Sequence, residues 1–208
     1  MLTLPDALAE LPLLAILRGI QPEEAVAVGG ALIEAGFRIL EVPLNSPQPL
    51  ASIASLSAAY GNEALIGAGT VMRPRQVTEI AGAGGRLIVM PHSDPAVIEA
   101  AVAAELACMP GVATPTEAFA ALAAGAAALK LFPAEGLPPA VLKAWSAVLP
   151  PGTGLFPVGG ISTENMAAYR AAGAAGFGIG SALYKPGLTA GDVGARARGF
   201  VAAWRACT

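Results

Sequence analysis

A lysine embedded in an apolar run is the first residue here that could do chemistry. Lys130 stands in Ala128-Leu129-Lys130-Leu131-Phe132-Pro133-Ala134-Glu135-Gly136, which reads as a short buried strand closed by a Pro/Gly turn. It is one of three lysines in the chain, with Lys143 and Lys185. An amine taken out of water loses hydration, which disfavours its charged form and lowers its pKa. A fall from about 10.4 to about 7.4 corresponds to roughly 4 kcal/mol of differential solvation. A neutral amine can then attack a carbonyl and form an imine. The competing reading is a lysine with a buried stem whose head reaches solvent. The local pattern leaves both open.

Other chemistry-bearing residues recur wherever an apolar run ends. Arg18 follows Leu13 to Leu17, Glu41 lies near the end of Arg38 to Val42, and Thr70 follows Ala64 to Ala68. Pro91-His92 closes Leu87 to Met90, Gly159-Gly160 follows Gly154 to Val158, and Gly180-Ser181 follows Gly176 to Ile179. Taken singly, Arg18 reads as a surface charge, Glu41 as a rim carboxylate and the glycine pairs as turns. Taken together, they put an amine, a carboxylate and two glycine-rich loops at one kind of position. Glycines let backbone N–H groups approach a phosphate, and a following helix N-terminus would add positive potential. His92 is the sole histidine, so no cluster has metal-ligand spacing. A lone loop histidine reads as a solvated rim residue. Cys108 reads as a small core residue, since nothing near it in sequence would make it a thiolate.

The elements that must position these residues alternate. Each apolar strand is followed by a helix, eight times, at a period near 25 residues. Pro22, Pro74 and Pro95 open helices, Asp94 and Thr114 cap them, and Ser162 is expected to cap a helix with Glu164 in its first turn. Val193, Ala197, Phe200, Val201 and Trp204 form one face of a last helix. Continuous apolar strands are buried on both faces. Eight right-handed strand–helix units close into a (β/α)8 TIM barrel, with a doubly wound open sheet as the alternative. Active sites of such barrels lie at the C-terminal strand ends, and the loops after strands seven and eight commonly take phosphate.

Composition narrows the field. No linker or composition shift divides the 208 residues, so residues 1–208 read as a single domain. Apolar residues make up 55% and charged residues 13%, a surface short of charge that suits burial against another subunit. A net charge of -3 gives no basic footprint for nucleic acid. No run is long enough for a membrane span, and Met1 to Glu10 has no basic stretch of a secretory signal. Two cysteines make no disulfide framework, and a cytoplasmic setting is expected.

Five segments, in order along nearly the whole chain, carry a resemblance. They are Ala15-Ile16-Leu17-Arg18-Gly19-Ile20, Glu41-Val42-Pro43-Leu44-Asn45-Ser46-Pro47, Ile66-Gly67-Ala68-Gly69-Thr70-Val71, Leu129-Lys130-Leu131-Phe132-Pro133 and Val158-Gly159-Gly160. The chain resembles the 2-keto-3-deoxy-6-phosphogluconate/galactonate aldolases, class I pyruvate aldolases of sugar acid breakdown. The resemblance implies that Lys130 is the Schiff-base lysine and Glu41 the general acid/base. It implies that Arg18 and Thr70 hold the substrate carboxylate and nearby oxygens, and that Phe132 packs beside the imine. Gly159, Gly160, Gly180 and Ser181 would bind the phosphate, with Pro91 and Val158 also lining the substrate. No cofactor and no metal is implied beyond the covalent imine at Lys130. The implied partners are a phosphorylated keto-deoxy sugar acid and pyruvate, in a homotrimer.

One detail separates the branches of that family. The gluconate enzymes usually carry an arginine four residues after the glutamate and a threonine before the glycine pair. Here those positions are Asn45 and Val158, and an arginine stands instead at Arg18. This resembles the galactonate branch, which implies reversible cleavage of 2-dehydro-3-deoxy-6-phosphogalactonate to pyruvate and D-glyceraldehyde 3-phosphate. The same reaction on the gluconate epimer is the nearest alternative. A phosphosugar isomerase or epimerase without an imine, or a non-catalytic binding barrel, are the more distant ones.

Overall fold

The computed structural model describes residues 2–207. Its strands are β1 (Leu13–Ile16), β2 (Ile39–Pro43), β3 (Leu65–Gly69), β4 (Leu87–Val89), β5 (Ala107–Met109), β6 (Gly111–Val112), β7 (Leu129–Leu131), β8 (Leu155–Pro157) and β9 (Phe177–Ile179). All pair in parallel, in the order β5-β4-β3-β2-β1-β9 and β6-β7-β8. A bridge between Val158 and Gly178 joins β8 to β9. β5 and β6 are one strand position broken at Pro110, so eight positions close into a barrel, as the alternation implies. In sequence, Leu106 to Met109 reads as a strand closed by Pro110-Gly111. Proline lacks the N–H but keeps its carbonyl. Pro110 O accepts from Lys130 N, and the strand resumes as β6.

The helices are α1 (Leu4–Glu10), α2 (Pro22–Glu34), α3 (Pro49–Tyr60), α4 (Pro74–Gly82), α5 (Pro95–Ala103), α6 (Pro115–Ala123), α7 (Pro139–Ser146), α8 (Met166–Ala171) and α9 (Ala190–Ala206). From α2 to α7 each begins on a proline, where the missing N–H would have no intrahelical partner anyway. Two departures from the sequence reading matter. Residues 4–10 form a helix outside the strand–helix alternation. Its signal was present as Thr3-x-x-Asp6, a capping box in which Thr3 Oγ1 and Asp6 satisfy each other's backbone N–H groups. Second, α8 begins only at Met166 and is six residues long. Ser162 does not cap it. The Asn165 side chain accepts from Ser162 N at 3.0 Å and donates to Gly160 O at 2.8 Å, which folds residues 160–165 into a turn.

Strand side chains alternate between two cores. Leu40, Val42, Leu129, Leu131, Phe177 and Ile179 face the helices. Leu14, Ile16, Ile39, Leu65, Leu87, Val89, Met109, Phe156 and Val158 fill the barrel, joined by Leu4 and Ala7 of α1, which stop its N-terminal end. Large and small residues complement one another inside. A Cβ on Gly176 would lie 2.5 Å from Phe156 Cε1, and one on Gly178 would lie 2.6 Å from Val158 Cγ2. On α9, Val193, Ala197, Phe200 and Val201 are buried as their spacing predicts. Trp204 packs edge-on to Phe177 with centroids 6.0 Å apart.

Candidate active site

The two-residue period of the strands puts Glu41 and Lys130 inside the barrel. Ile39 faces in while Leu40 and Val42 face out, so Glu41 faces in. Leu129 and Leu131 face out, so Lys130 faces in between them. The apolar neighbours that singled out Lys130 are therefore not what dehydrates it; the barrel interior is. β2 and β7 are four positions apart in a ring of eight, so the amine and the carboxylate approach from opposite walls. Glu41 is 2% exposed and Lys130 6%, so Glu41 is not the rim carboxylate that its position taken singly would allow.

Burial sets the proton affinities. Desolvation pushes the Glu41 carboxyl up to about 7, against the opposing pull of Lys130 and Arg18. Desolvation holds the Lys130 amine below the usual lysine range, reinforced by Arg18 and opposed by Glu41. Glu41 Oε2 is buried without a hydrogen-bond partner among the described residues, an acceptor left open in the barrel. Lys130 Nζ lies 4.4 Å from the centre of the Phe132 ring.

Gly69, which the sequence shows only as part of Ile66 to Val71, leaves the space into which Glu41 points. A Cβ there would lie 1.5 Å from Glu41 Oε2. The next residue, Thr70, has φ 57, a left-handed backbone that a β-branched residue rarely adopts. Such strain concentrates at functional positions. Arg18 is exposed, and its Nη1 donates to Asn45 Oδ1 at 2.6 Å. Beside it Gly19 N donates to Ser46 Oγ at 2.9 Å, so two bonds tie the loop after β1 to the loop after β2. Sequence reading used Asn45 only as a family marker; here it orients Arg18.

A cavity of about 490 Å³ is lined by Arg18, Phe132, Val158, Gly159, Gly160, Gly180 and Ser181 among others, while Glu41 and Lys130 are not among its lining residues. Seven of the expected site residues thus share one space, and Lys130 connects to it through the Phe132 ring, 4.4 Å from Nζ. Thr70 and Pro91 stand outside it, past the ends of β3 and β4. Gly159 and Gly160 have φ 104 and 64, which favour glycine. Because residues 160–165 are a turn and α8 is short, the glycine pair offers backbone N–H groups but no helix terminus. Glu135, Lys185 and Tyr184 also line the cavity and were not singled out as site residues. A depression of about 590 Å³ between α3 and α4 has Arg86 as its sole charged lining residue, and that guanidinium is bound to the Leu2 and Gly61 carbonyls.

The remaining sequence readings fall out directly. His92 is exposed and outside the cavity. Cys108 is buried against Met90 Sδ at 3.7 Å, and burial pushes its thiol up to about 12. Among the described residues no three of His, Cys, Asp and Glu come together as a metal site, and no helix is long and apolar enough to cross a membrane.

With this arrangement in place, comparison with known proteins is decisive. Residues 4–197 match the family model for KDPG and KHG aldolase. The chain belongs to that family. It is 53% identical over 95% of its length, and 93% of the relative's, to a probable 2-dehydro-3-deoxy-6-phosphogalactonate aldolase of Rhizobium meliloti (strain 1021). It is 50% identical to the 2-dehydro-3-deoxy-6-phosphogalactonate aldolase of Escherichia coli (strain K12), over 94% of this chain and 96% of that one. A solved structure described as native KDPGal superposes with a TM-score of 0.94 at 50% identity, covering 95% of this chain and 96% of the other. As a family member the chain is an aldolase, a carbon–carbon lyase.

Proposed function

We propose that residues 1–208 act as one class I aldolase domain that cleaves 2-dehydro-3-deoxy-6-phosphogalactonate reversibly to pyruvate and D-glyceraldehyde 3-phosphate. The observation that carries this reading is the buried pair on opposite barrel walls, an amine pushed down and a carboxyl pushed up to about 7 by the same dry interior. Two groups whose environments move them towards neutrality suit one as nucleophile and the other as proton carrier.

In the proposed sequence neutral Lys130 attacks the C2 ketone, and loss of water gives an iminium ion. The C3–C4 bond breaks as Glu41 takes the C4 hydroxyl proton. The bond's electron pair passes into the iminium to leave an enamine, and C4 departs as the aldehyde. Glu41 returns the proton to C3, and water hydrolyses the imine to pyruvate and free Lys130. Phe132 shields the imine. Arg18 and Thr70 hold the carboxylate and adjacent oxygens, Pro91 bounds the substrate, and Gly159, Gly160, Gly180 and Ser181 hold the phosphate. No metal or other cofactor takes part. Val158, 7% exposed, supplies an apolar wall where a hydroxyl would favour the gluconate epimer. Identity of 50% and more to galactonate-named relatives supports the same choice.

A homotrimer in the cytoplasm is part of the proposal. Exposed Val26, Met72, Val102, Phe119 and Val148 give apolar surface for subunits to cover, and Cys108 and Cys207 are free thiols. The test of the chemistry is borohydride reduction with pyruvate, followed by intact mass and peptide mapping. A stable adduct on Lys130, absent from Lys130→Met, is expected. Retained cleavage by Lys130→Met, or no adduct in the wild type, would remove the Schiff-base mechanism.

A further inference from the structure

The phosphate half of the cavity is short of positive charge where the fold was expected to supply it. The turn at residues 160–165 removes the helix terminus behind Gly159-Gly160, and the Gly180-Ser181 loop runs through further turns until α9 starts at Ala190. What faces the glycine pair is instead an acid. A Cβ on Gly159 would lie 2.3 Å from Glu135 Oε2, and one on Gly160 would lie 2.8 Å from Glu135 Cγ. A phosphate cradled only by neutral N–H groups beside a carboxylate would be repelled by it. Two cations line the cavity, Arg18 and Lys185. Arg18 is held by Asn45 on the loop after β2, the strand that carries Glu41, which places it at the imine end.

Lys185 is left, and its backbone is fixed for the purpose. Tyr184, before it, is 2% exposed, and its hydroxyl donates to Glu24 Oε1 at 2.5 Å. Tyr184 N donates to Gly180 O at 3.0 Å, tying the segment back to the Gly180-Ser181 turn. Pro186, after it, packs on the Arg18-Gly19 turn so closely that a Cβ on Gly19 would lie 2.8 Å from Pro186 Cγ. Between these anchors the Lys185 side chain is exposed, lines the cavity and has no ion-pair or hydrogen-bond partner among the described residues.

We propose that the Lys185 ammonium is the counter-ion of the substrate phosphate, offsetting Glu135 and replacing the helix terminus the loops lack. This rests on the phosphate assignment made above and adds the one charged donor to it. A hydrogen bond between charged groups of this kind corresponds to roughly a ten- to hundred-fold effect on binding.

The experiment measures kcat/KM for the phosphorylated acid and for the same acid without its 6-phosphate, in wild type, Lys185→Met and Lys185→Arg. Inhibition by inorganic phosphate is measured in each. The phosphorylated-to-unphosphorylated ratio should fall about ten- to hundred-fold in Lys185→Met and recover to within a few-fold in Lys185→Arg. The inhibition constant of phosphate should rise in Lys185→Met by a similar factor. Equal losses on both acids, or an unchanged ratio and phosphate constant, would overturn the role of Lys185 while leaving the glycine loops as the phosphate site. A wild type indifferent to the 6-phosphate would overturn the phosphate assignment and Lys185 with it.

Discussion

Gly69→Ala should disable the enzyme by moving a residue it does not replace. The added methyl would stand 1.5 Å from Glu41 Oε2, 2.4 Å from its Cδ and 2.6 Å from Oε1. Ordinary contact needs about 3.5 Å or more, so the carboxylate must retreat by about 2 Å. Glu41 is 2% exposed in a filled barrel and has little room to do so. Misplacing a reacting group by about 1 Å costs on the order of 100-fold, and losing a general base costs about 100- to 10,000-fold. We therefore expect kcat to fall by about 100- to 10,000-fold, or about 3 to 5.5 kcal/mol of barrier. Overpacking should cost a further 1–3 kcal/mol of stability, on the order seen for crowded cores. Cleavage is followed by coupling pyruvate release to NADH oxidation, and stability by denaturant titration. The reasoning needs a double-mutant cycle with Glu41→Ala. With the carboxylate gone the methyl has nothing to displace, so the double variant should be no slower than Glu41→Ala and more stable than Gly69→Ala. A Gly69→Ala enzyme within a few-fold of wild type, or losses that simply add, would refute it.

Four further outcomes follow from the same site. In the proposed mechanism cleavage needs Glu41 ionised, so kcat should climb with pH to a plateau above about 7, and Arg18→Met, which removes a charge favouring the carboxylate, should move that inflection upward. Because the folded pKa is raised, wild type should lose stability relative to Glu41→Gln as pH rises from about 4.5 through about 7, read by thermal unfolding at both ends. Val158→Thr, nearly equal in size, should shift the rate ratio towards the gluconate epimer; a wild type that strongly prefers that epimer would overturn the branch assignment. Thr70→Gly should relieve the left-handed backbone and hold or raise stability by about 1 kcal/mol while lowering activity, as melting and rate measurements would show.

Much of this was legible from residue order, for reasons that can be named. Prolines at the first helical position marked the starts of α2, α4 and α5, Thr114 marked that of α6, and apolar runs marked the strands between them. The strand-end residues Arg18, Phe132, Val158, Gly159, Gly160, Gly180 and Ser181 were named from sequence, and they do share a cavity. The misses have a common cause. Ser162 looked like a helix cap because Ser with Glu two residues on suits one, but Asn165, one residue further, competes for the backbone and wins. Pro110 looked like a strand end because its missing N–H is visible in sequence and its available carbonyl is not. The service of Gly69 to Glu41 crosses two strands and has no local signature.

That last relation also explains how the chain can bury an acid and an amine in one barrel. Each carries a solvation cost that a filled core would otherwise refuse. The carboxylate is accommodated by deleting side chains opposite it: Glu41 pairs in register with Gly67, and Gly69 follows two residues on, so β3 leaves its face bare where β2 carries the acid. The amine is accommodated differently, by an aromatic ring 4.4 Å away that offers its electron-rich face. The two remedies are not interchangeable. Bare backbone leaves the carboxylate oxygen Oε2 unpartnered and able to take a proton, while the Phe132 ring gives Lys130 contact without a hydrogen bond, which leaves its lone pair free to attack once the proton is lost. The barrel tolerates both groups by the same features that keep them reactive.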